Sequence, residues 1–209
     1  MLEHVPEWLG AALRHVRAGA DKLCIAQPGL GPDAREPFGS LRLSSPAFAH
    51  GGAIPERFTA DGEGLSPPLA WHNVPESTRS LALIVEDPDA PSLQPLVHAI
   101  VWDLDPAAGE MPEGAIAGDG AAETGRNSFL MSGWLPPDPP TGHGAHHYAF
   151  QLFALAERPA LSGTPGRSAL VEAMQGKVLA AGLLVGTYQR GGAAAAGIGG
   201  TQSSAAAPA

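Results

Sequence analysis

Glycine and proline interrupt this chain at short intervals. Its 209 residues include 27 glycines and 21 prolines, close to a quarter of the total, yet 44% of the residues are hydrophobic. A chain with this much apolar material can build a core, but so many turn-forming residues leave little room for long helices. We therefore predict one turn-rich domain made mainly of short β-strands.

Short apolar runs lie between the turn residues, at positions 41–43, 47–50, 80–86, 97–104 and 149–155. The run from Ser80 to Glu86 is almost continuously apolar, which is typical of a strand that is covered on both faces. These runs predict a sandwich-like β core. Near the end of the chain, Ser168 is a candidate N-cap for a helix that reaches Ala181 and stops at Gly182, and a last strand is predicted over 183–188.

The two ends of the chain are expected to lie outside this core, which we assign to residues 39–190. Residues 1–38 combine a Pro/Gly connector with an amphipathic helix from about Pro6 to Ile25, whose apolar face contains Trp8, Leu9, Ala12, Leu13 and Val16. That face must be buried on its own domain or on a second subunit, and we predict a homodimer held partly by it. Residues 191–209 are Gly, Ala and Ser without periodicity, so we predict a disordered tail.

Composition argues against several classes of protein. The formal net charge is -9 with only 12 Lys and Arg residues, and no basic stripe is present, so we expect no nucleic-acid partner. The single cysteine, Cys24, cannot form an internal disulfide. The first residues do not resemble a secretion signal and no apolar run reaches bilayer-spanning length, so we expect a cytoplasmic protein without stable membrane insertion. Nucleotide-binding and serine-hydrolase motifs are absent from the sequence, and we expect no cofactor.

One segment does carry polar groups in a rigid setting, namely Glu86-Asp-Pro-Asp-Ala-Pro91, directly after the most apolar run. Pro88 and Pro91 restrict the backbone, so Asp87 and Asp89 are held on a stiff loop at the end of a strand. The segment alone is also consistent with an ordinary Asp/Pro turn. A histidine within the next apolar run, His98, and further ones at 146–147 favour a small polar site formed by several strands.

The chain resembles the phosphatidylethanolamine-binding-protein family in its bacterial form, over roughly residues 41–190. The matching residues keep the family's order: Asp61-Gly62, Ser66-Pro-Pro-Leu-Ala-Trp71, Val74-Pro75, Ser80-Leu81, Asp87-Pro-Asp-Ala-Pro91, His98, Gly125, Asn127-Ser-Phe129, Pro137, Pro139-Pro140, Gly142, His146, Tyr148, Gly186 and Tyr188. The resemblance implies a mainly-β fold with a large antiparallel sheet packed on smaller ones and a helix near the C-terminus.

The resemblance also implies a pocket that accepts phosphate, phosphoethanolamine or a similar anion. The implied ligand-binding residues are Asp87, Asp89, His98 and His146, with Pro91 and Tyr148 nearby and Trp134 as a candidate for the pocket rim. Four positions depart from the family pattern, namely Gly64, Ala99, Pro136 and His147. They bear on the identity of the ligand rather than on the fold.

Several functions agree with such a site. We predict a binding protein for a small anionic ligand or phospholipid head group, in which each aspartate orients a protonated histidine that donates to the anion. An enzyme that uses the same groups for acid-base chemistry, a kinase-inhibitor-like interaction module and a self-satisfied structural network remain alternatives. A metal site with two histidines and one carboxylate, drawn from His98, the histidines of 143–147 and a nearby Asp, is a further alternative, but the Gly-rich loop favours a solvated histidine cluster, and we predict no metal.

Overall fold

The computed structural model describes residues 7–13, 15–30, 41–117 and 123–190. Helices α1 (Glu7–Leu13) and α2 (Arg167–Met174) lie near the two ends of this part of the chain. Its strands are β1 (Arg42–Ser44), β2 (Leu69–His72), β3 (Ser80–Asp87), β4 (Leu96–Leu104), β5 (Glu110–Met111), β6 (Glu123–Thr124), β7 (His146–Leu155) and β8 (Val178–Tyr188). The mainly-β prediction is confirmed.

Two antiparallel sheets form the body of the described part of the chain. The larger sheet has the strand order β6-β4-β3-β7-β8, and the smaller one has the order β1-β2-β5. Strand β3 lies at the centre of the larger sheet and is buried over all eight residues. This agrees with its nearly continuous apolar sequence, because a central strand covered on both faces has no solvent-facing side.

Alternate side chains of β3 enter two different cores. Leu81, Leu83 and Val85 pack between the two sheets. Ala82 and Ile84 face the opposite side, where they pack with residues of β4, β7, α2 and the N-terminal segment. This two-residue alternation is the geometry of any strand, and here it makes β3 the partition between the cores.

The N-terminal segment differs from the predicted long amphipathic helix. Helix α1 ends at Leu13, and short 3-10 turns follow at Ala20–Lys22 and Cys24–Ala26. Gly19 has φ of 102°, a left-handed conformation that cannot continue an α-helix. Its backbone N–H donates instead to the carbonyl of Pro88, at 2.9 Å. Contacts with the domain therefore replace helical hydrogen bonds.

Residues 15–30, which we call the N-terminal strap, pack against the larger sheet. Cys24 and Leu30 are fully buried there. Glu86 at the end of β3 is also fully buried and accepts from the backbone N–H of Cys24 at 2.8 Å and from Arg167 Nε at 2.5 Å. The strap is thus bound to β3 by apolar contacts and by a buried polar network.

Three further sequence predictions need correction. Helix α2 stops at Met174 rather than near Ala181, because Gly176 takes φ of 71° and the chain turns into β8, which begins at Val178. The N-cap position is Gly166 rather than Ser168. The apolar run 47–50 forms no strand, although Phe48 is buried in the core. The tail at 191–209 and most of the predicted connector lie outside the described residues.

Candidate functional site

The polar residues identified in the sequence meet at one end of the larger sheet. Antiparallel pairing brings the end of β3 beside the beginnings of β4 and β7. Asp87 ends β3, whereas His98 and His146 lie in the first residues of β4 and β7. The Asp87 carboxylate also accepts from the backbone N–H of Asp89 at 2.8 Å, which fixes the turn that follows the strand.

A cavity of about 190 Å³ opens at this end of the sheet. Its polar side chains are those of Asp87, Ser92, His98, Asp138 and His146, and Tyr148 adds a phenol hydroxyl. Most of the remaining wall is apolar and contains Ala90, Pro91, Leu96, Phe129, Leu135, Pro136, Pro139, Pro140 and Tyr148. A ligand here would meet a few polar groups at one end and hydrocarbon around the rest, as in many small-molecule sites.

Asp87 and His146 belong to a hydrogen-bonded chain that sequence reasoning did not anticipate. His146 Nδ1 lies 2.7 Å from Asp87 Oδ2, and His146 Nε2 lies 2.7 Å from His143 Nδ1. His143 Nε2 in turn lies 2.8 Å from the backbone carbonyl oxygen of Leu13. Both nitrogens of His146 are therefore already engaged within the protein.

His98 has one ring nitrogen that has no hydrogen-bond partner among the described residues. Its Nδ1 lies 2.6 Å from the carbonyl oxygen of Leu135, while its Nε2 is buried without a hydrogen-bond partner. The ring makes an edge contact with Tyr148, at a centroid distance of 5.0 Å. Burial lowers the pKa of His98, and the nearby charge of Asp87 offsets only part of that effect. The free protein thus has a neutral His98 that donates through Nδ1 and keeps a lone pair on Nε2.

Asp89 is turned away from the cavity. One carboxylate oxygen pairs with Arg17 of the strap, and the other accepts from the backbone and the ring of His147 at 2.8 and 2.6 Å. Burial opposes ionisation of Asp89, but hydrogen bonds from His147 and Arg17 outweigh it and hold its pKa below the usual value. The sequence predicted that the two aspartates would orient His98 and His146; Asp87 does contact His146, whereas Asp89 contacts His147 and Arg17 outside the cavity.

Of the other residues predicted for the site, Pro91 and Tyr148 line the cavity and Trp134 does not. Trp134 packs behind the His98 ring at a centroid distance of 6.1 Å and donates from Nε1 to the carbonyl of Phe58 at 3.3 Å. Burial, followed by the charge of Asp87, raises the pKa of Tyr148, so this residue stays an uncharged phenol.

Asp138 is a cavity residue that sequence reasoning passed over. It follows Pro136 and Pro137, which were predicted to form a rigid wall, and its carboxylate pairs with Arg190 Nη1 at 2.5 Å. Arg190 also holds Asp61 at 2.7 Å. The signal available in the sequence was a single acid enclosed by prolines. Its cationic partner, Arg190, lies 52 positions further along the chain, so no local sequence pattern reveals the pair.

Two of the departures from the family pattern lie close to each other. Gly64 has φ of 69°, and a Cβ built there would lie 3.2 Å from the ring of Pro136. A side chain at 64 would therefore press on a residue that lines the cavity. Ala99 is fully buried in the core between the sheets and does not line the cavity, so it does not enlarge it.

Other kinds of site find no support in the described residues. No group of three or more His, Cys, Asp or Glu side chains among them is arranged to hold a metal ion. None of the helices in that same portion has the length and apolar character needed to cross a membrane.

Comparison with known proteins agrees with this fold. The sequence profile described as phosphatidylethanolamine-binding protein matches residues 44–189, which include the cavity residues from β3, β4 and β7. The chain belongs to the phosphatidylethanolamine-binding protein family. The helix α1 and the strap precede the matched region, so their contacts with the site lie outside the part that defines the family.

Relatives extend across archaea and bacteria. A UPF0098 protein of Pyrococcus horikoshii is 39% identical over 157 residues, covering 72% of this chain and 77% of the relative. A UPF0098 protein of Methanothermobacter thermautotrophicus is 37% identical over 161 residues, covering 72% of this chain and 100% of the relative.

Solved structures share the fold. A phosphatidylethanolamine-binding protein homologue from Chlamydia trachomatis superposes with a TM-score of 0.67 at 36% identity, covering 72% of this chain and 97% of its own. Escherichia coli YbcL, described as a member of the mammalian family, gives a TM-score of 0.68 at 26% identity, with 72% and 99% covered.

Proposed function

We propose that this member of the phosphatidylethanolamine-binding protein family is a binding protein for a small anionic head group, such as phosphate or phosphoethanolamine, held in the cavity beside His98. The observation that carries the proposal is the buried, unpartnered Nε2 of His98. A buried polar atom without a partner is costly, so a ligand that hydrogen-bonds to it gains affinity. On this account His98, rather than His146, provides the hydrogen bond, because both nitrogens of His146 are occupied.

The charges around the cavity are compatible with an anion once their pairing is considered. Asp87 is hydrogen-bonded to His146, and Asp138 is paired with Arg190. Each carboxylate therefore already has a partner within the protein. When an anion enters, His98 can take up a proton and donate from Nε2, and the charges of Asp87 and Asp138 favour that protonated ring.

The apolar wall supports a ligand that has a carbon-containing part next to its anionic group. Phe129 forms part of the wall, and the residues after it, Leu130 and Met131, are 75% and 63% exposed. Leu93, on the loop after β3, is 86% exposed. An alkyl or acyl group that leaves the cavity at this side would cover hydrocarbon that is otherwise in water.

The proposal is tested by NMR titration of the isotope-labelled protein with inorganic phosphate and with phosphoethanolamine. We expect the largest shifts at His98, Tyr148 and Phe129. His98→Gln keeps a polar side chain but cannot become charged, and should weaken binding by about tenfold or more, the scale of a lost charged hydrogen bond. His147→Gln is the matched control and should bind within about twofold of the unmodified protein, because His147 pairs with Asp89 outside the cavity.

Two results would contradict the proposal. One is the absence of binding by either compound at millimolar concentration. The other is a His98→Gln variant that binds as tightly as the control, since the cavity would then hold its ligand without the unpartnered nitrogen.

A further inference from the structure

The hydrogen-bonded chain from Asp87 through His146 and His143 to Leu13 contains one more proton than an ionised Asp87 and two neutral imidazoles supply. Its three contacts measure 2.7, 2.7 and 2.8 Å, and each needs one proton between the two atoms. Both ends are acceptors, since one is a carboxylate and the other a backbone carbonyl. Two neutral imidazoles bring only one N–H each, so one proton has to be added.

The hydrogen-bond directions locate that proton. Because the carbonyl of Leu13 can only accept, His143 must donate to it from Nε2. Burial and the neighbouring His146 lower the pKa of His143, so this ring is neutral and its Nδ1 accepts from Nε2 of His146. The remaining contact joins His146 Nδ1 to a carboxylate oxygen of Asp87, and the additional proton lies there.

We infer that His143 is a positioning residue that, by joining His146 to the Leu13 carbonyl, keeps one additional proton on the Asp87–His146 pair. With this proton the pair has no net charge. Without an acceptor at His143, a neutral His146 could donate from Nδ1 to an ionised Asp87, and the polar end of the cavity would become negative by one charge. The inference deepens the proposed function and rests on it where anion affinity is concerned. The proton count does not depend on the proposed function.

This device depends on residues before the family-matched region. Leu13 ends α1, and the strap that follows is held against the loops of the site. The backbone N–H of Ala18 donates to the carbonyl of Ala90 at 3.1 Å. Arg17 contacts Asp89 and the carbonyl of Ala145. The N-terminal part of the chain thus supplies an acceptor that the matched region alone does not contain.

Other charged groups surround the chain of hydrogen bonds. The guanidinium of Arg17 lies near His143 and favours its neutral form. On the cavity side His98 is influenced by both Asp87 and His146, and by Asp138 with its partner Arg190. On the outer side the Asp89 carboxylate is paired with His147 as well as with Arg17. None of these groups belongs to the chain of hydrogen bonds, so none of them supplies its additional proton.

The proton count is tested first on the unmodified, ligand-free protein. Long-range nitrogen–proton NMR spectra distinguish the protonation states of each imidazole, and the carbon shift of the Asp87 carboxyl reports its ionisation. We expect His143 as the Nε2–H tautomer and one proton shared between His146 Nδ1 and Asp87 near neutral pH. An unprotonated His146 Nδ1 beside an ionised Asp87 would overturn the inference.

Two variants of His143 test its consequence for binding. In His143→Asn the amide oxygen can replace Nδ1 as acceptor, whereas His143→Phe removes the acceptor and keeps a ring of similar size. Calorimetric titration with inorganic phosphate, in two buffers of different ionisation enthalpy, gives affinity and proton uptake together. We expect His143→Phe to bind at least several-fold more weakly at pH 7.5, to take up more protons on binding, and to recover affinity by pH 6, while His143→Asn keeps the unmodified profile.

The outcomes separate this inference from the proposed function. If phosphate does not bind the unmodified protein, the proposed function fails, and the NMR spectra still decide the proton count. If phosphate binds but proton uptake and pH profile are the same in both variants and the unmodified protein, the inference is overturned. Should His143→Phe fail to fold, the spectra of the unmodified protein remain decisive, and a shifted profile in a folded His143→Asn would count against the acceptor role.

Discussion

His98 and His146 are both buried at the polar end of the cavity, but they differ in what they leave for a ligand. His146 uses one nitrogen for Asp87 and the other for His143. His98 uses one for the carbonyl of Leu135 and leaves the other unpaired. The hydrogen-bond partners of each histidine, rather than the distance of the ring from the cavity, therefore decide which of the two can bind a ligand.

This difference has a consequence for stability in acid. Burial lowers the pKa of His98 and of His143, while the same groups in the unfolded chain titrate near about 6.5. Below that pH the unfolded state binds protons that the folded state does not, so these groups lower the free energy of unfolding as pH falls. In urea unfolding at pH 7.5 and 5.5, His98→Gln should lose less stability between the two pH values than the unmodified protein does. His72→Gln, at an exposed position of β2, is the control, and an equal loss in all three proteins would contradict the prediction.

The sequence alone revealed some of these residues and the contacts of others not at all. Asp87, His98 and His146 were found because each lies in or after a strongly apolar strand, and their order matches that of a known family. His143 was visible too, but its partner carbonyl on Leu13 lies 130 positions away, and backbone acceptors leave no trace in the side-chain sequence. Asp89 was assigned to the pocket with Asp87, because the sequence does not show that Arg17 and His147 draw it outward.

Among the elements, strand β3 has the greatest influence on the site. It separates the two cores, ends in the cavity residue Asp87 and carries Glu86, which anchors the strap and Arg167. Its assignment from sequence succeeded because continuous burial requires continuous apolar character. The N-terminal helix was predicted too long and α2 was extended too far, because apolar periodicity does not reveal where tertiary contacts or a left-handed glycine such as Gly19 or Gly176 end a helix.

The anchoring role of Glu86 predicts the effect of a small change. Glu86→Gln removes the charge opposite Arg167 while keeping an acceptor for the backbone of Cys24, and leaves a partly buried guanidinium without its counter-ion. We expect a loss of about 3 kcal/mol in the free energy of unfolding, measured in urea. Glu157→Gln is the matched control, because its contact with Lys177 is 3.6 Å long and exposed, and it should change stability by no more than about 0.5 kcal/mol. A loss below about 1 kcal/mol for Glu86→Gln would show that the network does not anchor the strap.

At the level of the whole molecule, the strap packs on its own domain while α1 leaves apolar surface in water. Leu23, Cys24 and Leu30 of the strap are buried, and Val16 at its start is 47% exposed, whereas Trp8 of α1 is 70% exposed. The predicted homodimer therefore depends on the α1 end of the segment rather than on its full length. Deleting residues 1–38 would also uncover the core, so a substitution in α1 is the sharper test.

We expect the protein to form a dimer in solution through the surface around Trp8, and Trp8→Ser to weaken it. A large exposed indole is typical of interface centres, and its loss removes apolar area without touching the strap. Light scattering over a range of concentrations measures the mass of both proteins, with Leu179→Ser, at another exposed apolar position, as the control. A monomeric unmodified protein at every concentration would contradict the dimer.

The proposed binding of an anion beside His98 requires that His98 gains a proton when the anion binds. Calorimetric titration with inorganic phosphate between pH 8 and pH 5 should show affinity that rises as pH falls, by up to about tenfold per pH unit, together with proton uptake. In His98→Gln, the affinity should depend on pH only through the titration of phosphate itself, because the contribution of His98 is lost. Affinity that follows the same pH profile in the unmodified protein and in His98→Gln, without proton uptake by the unmodified protein, would contradict the account.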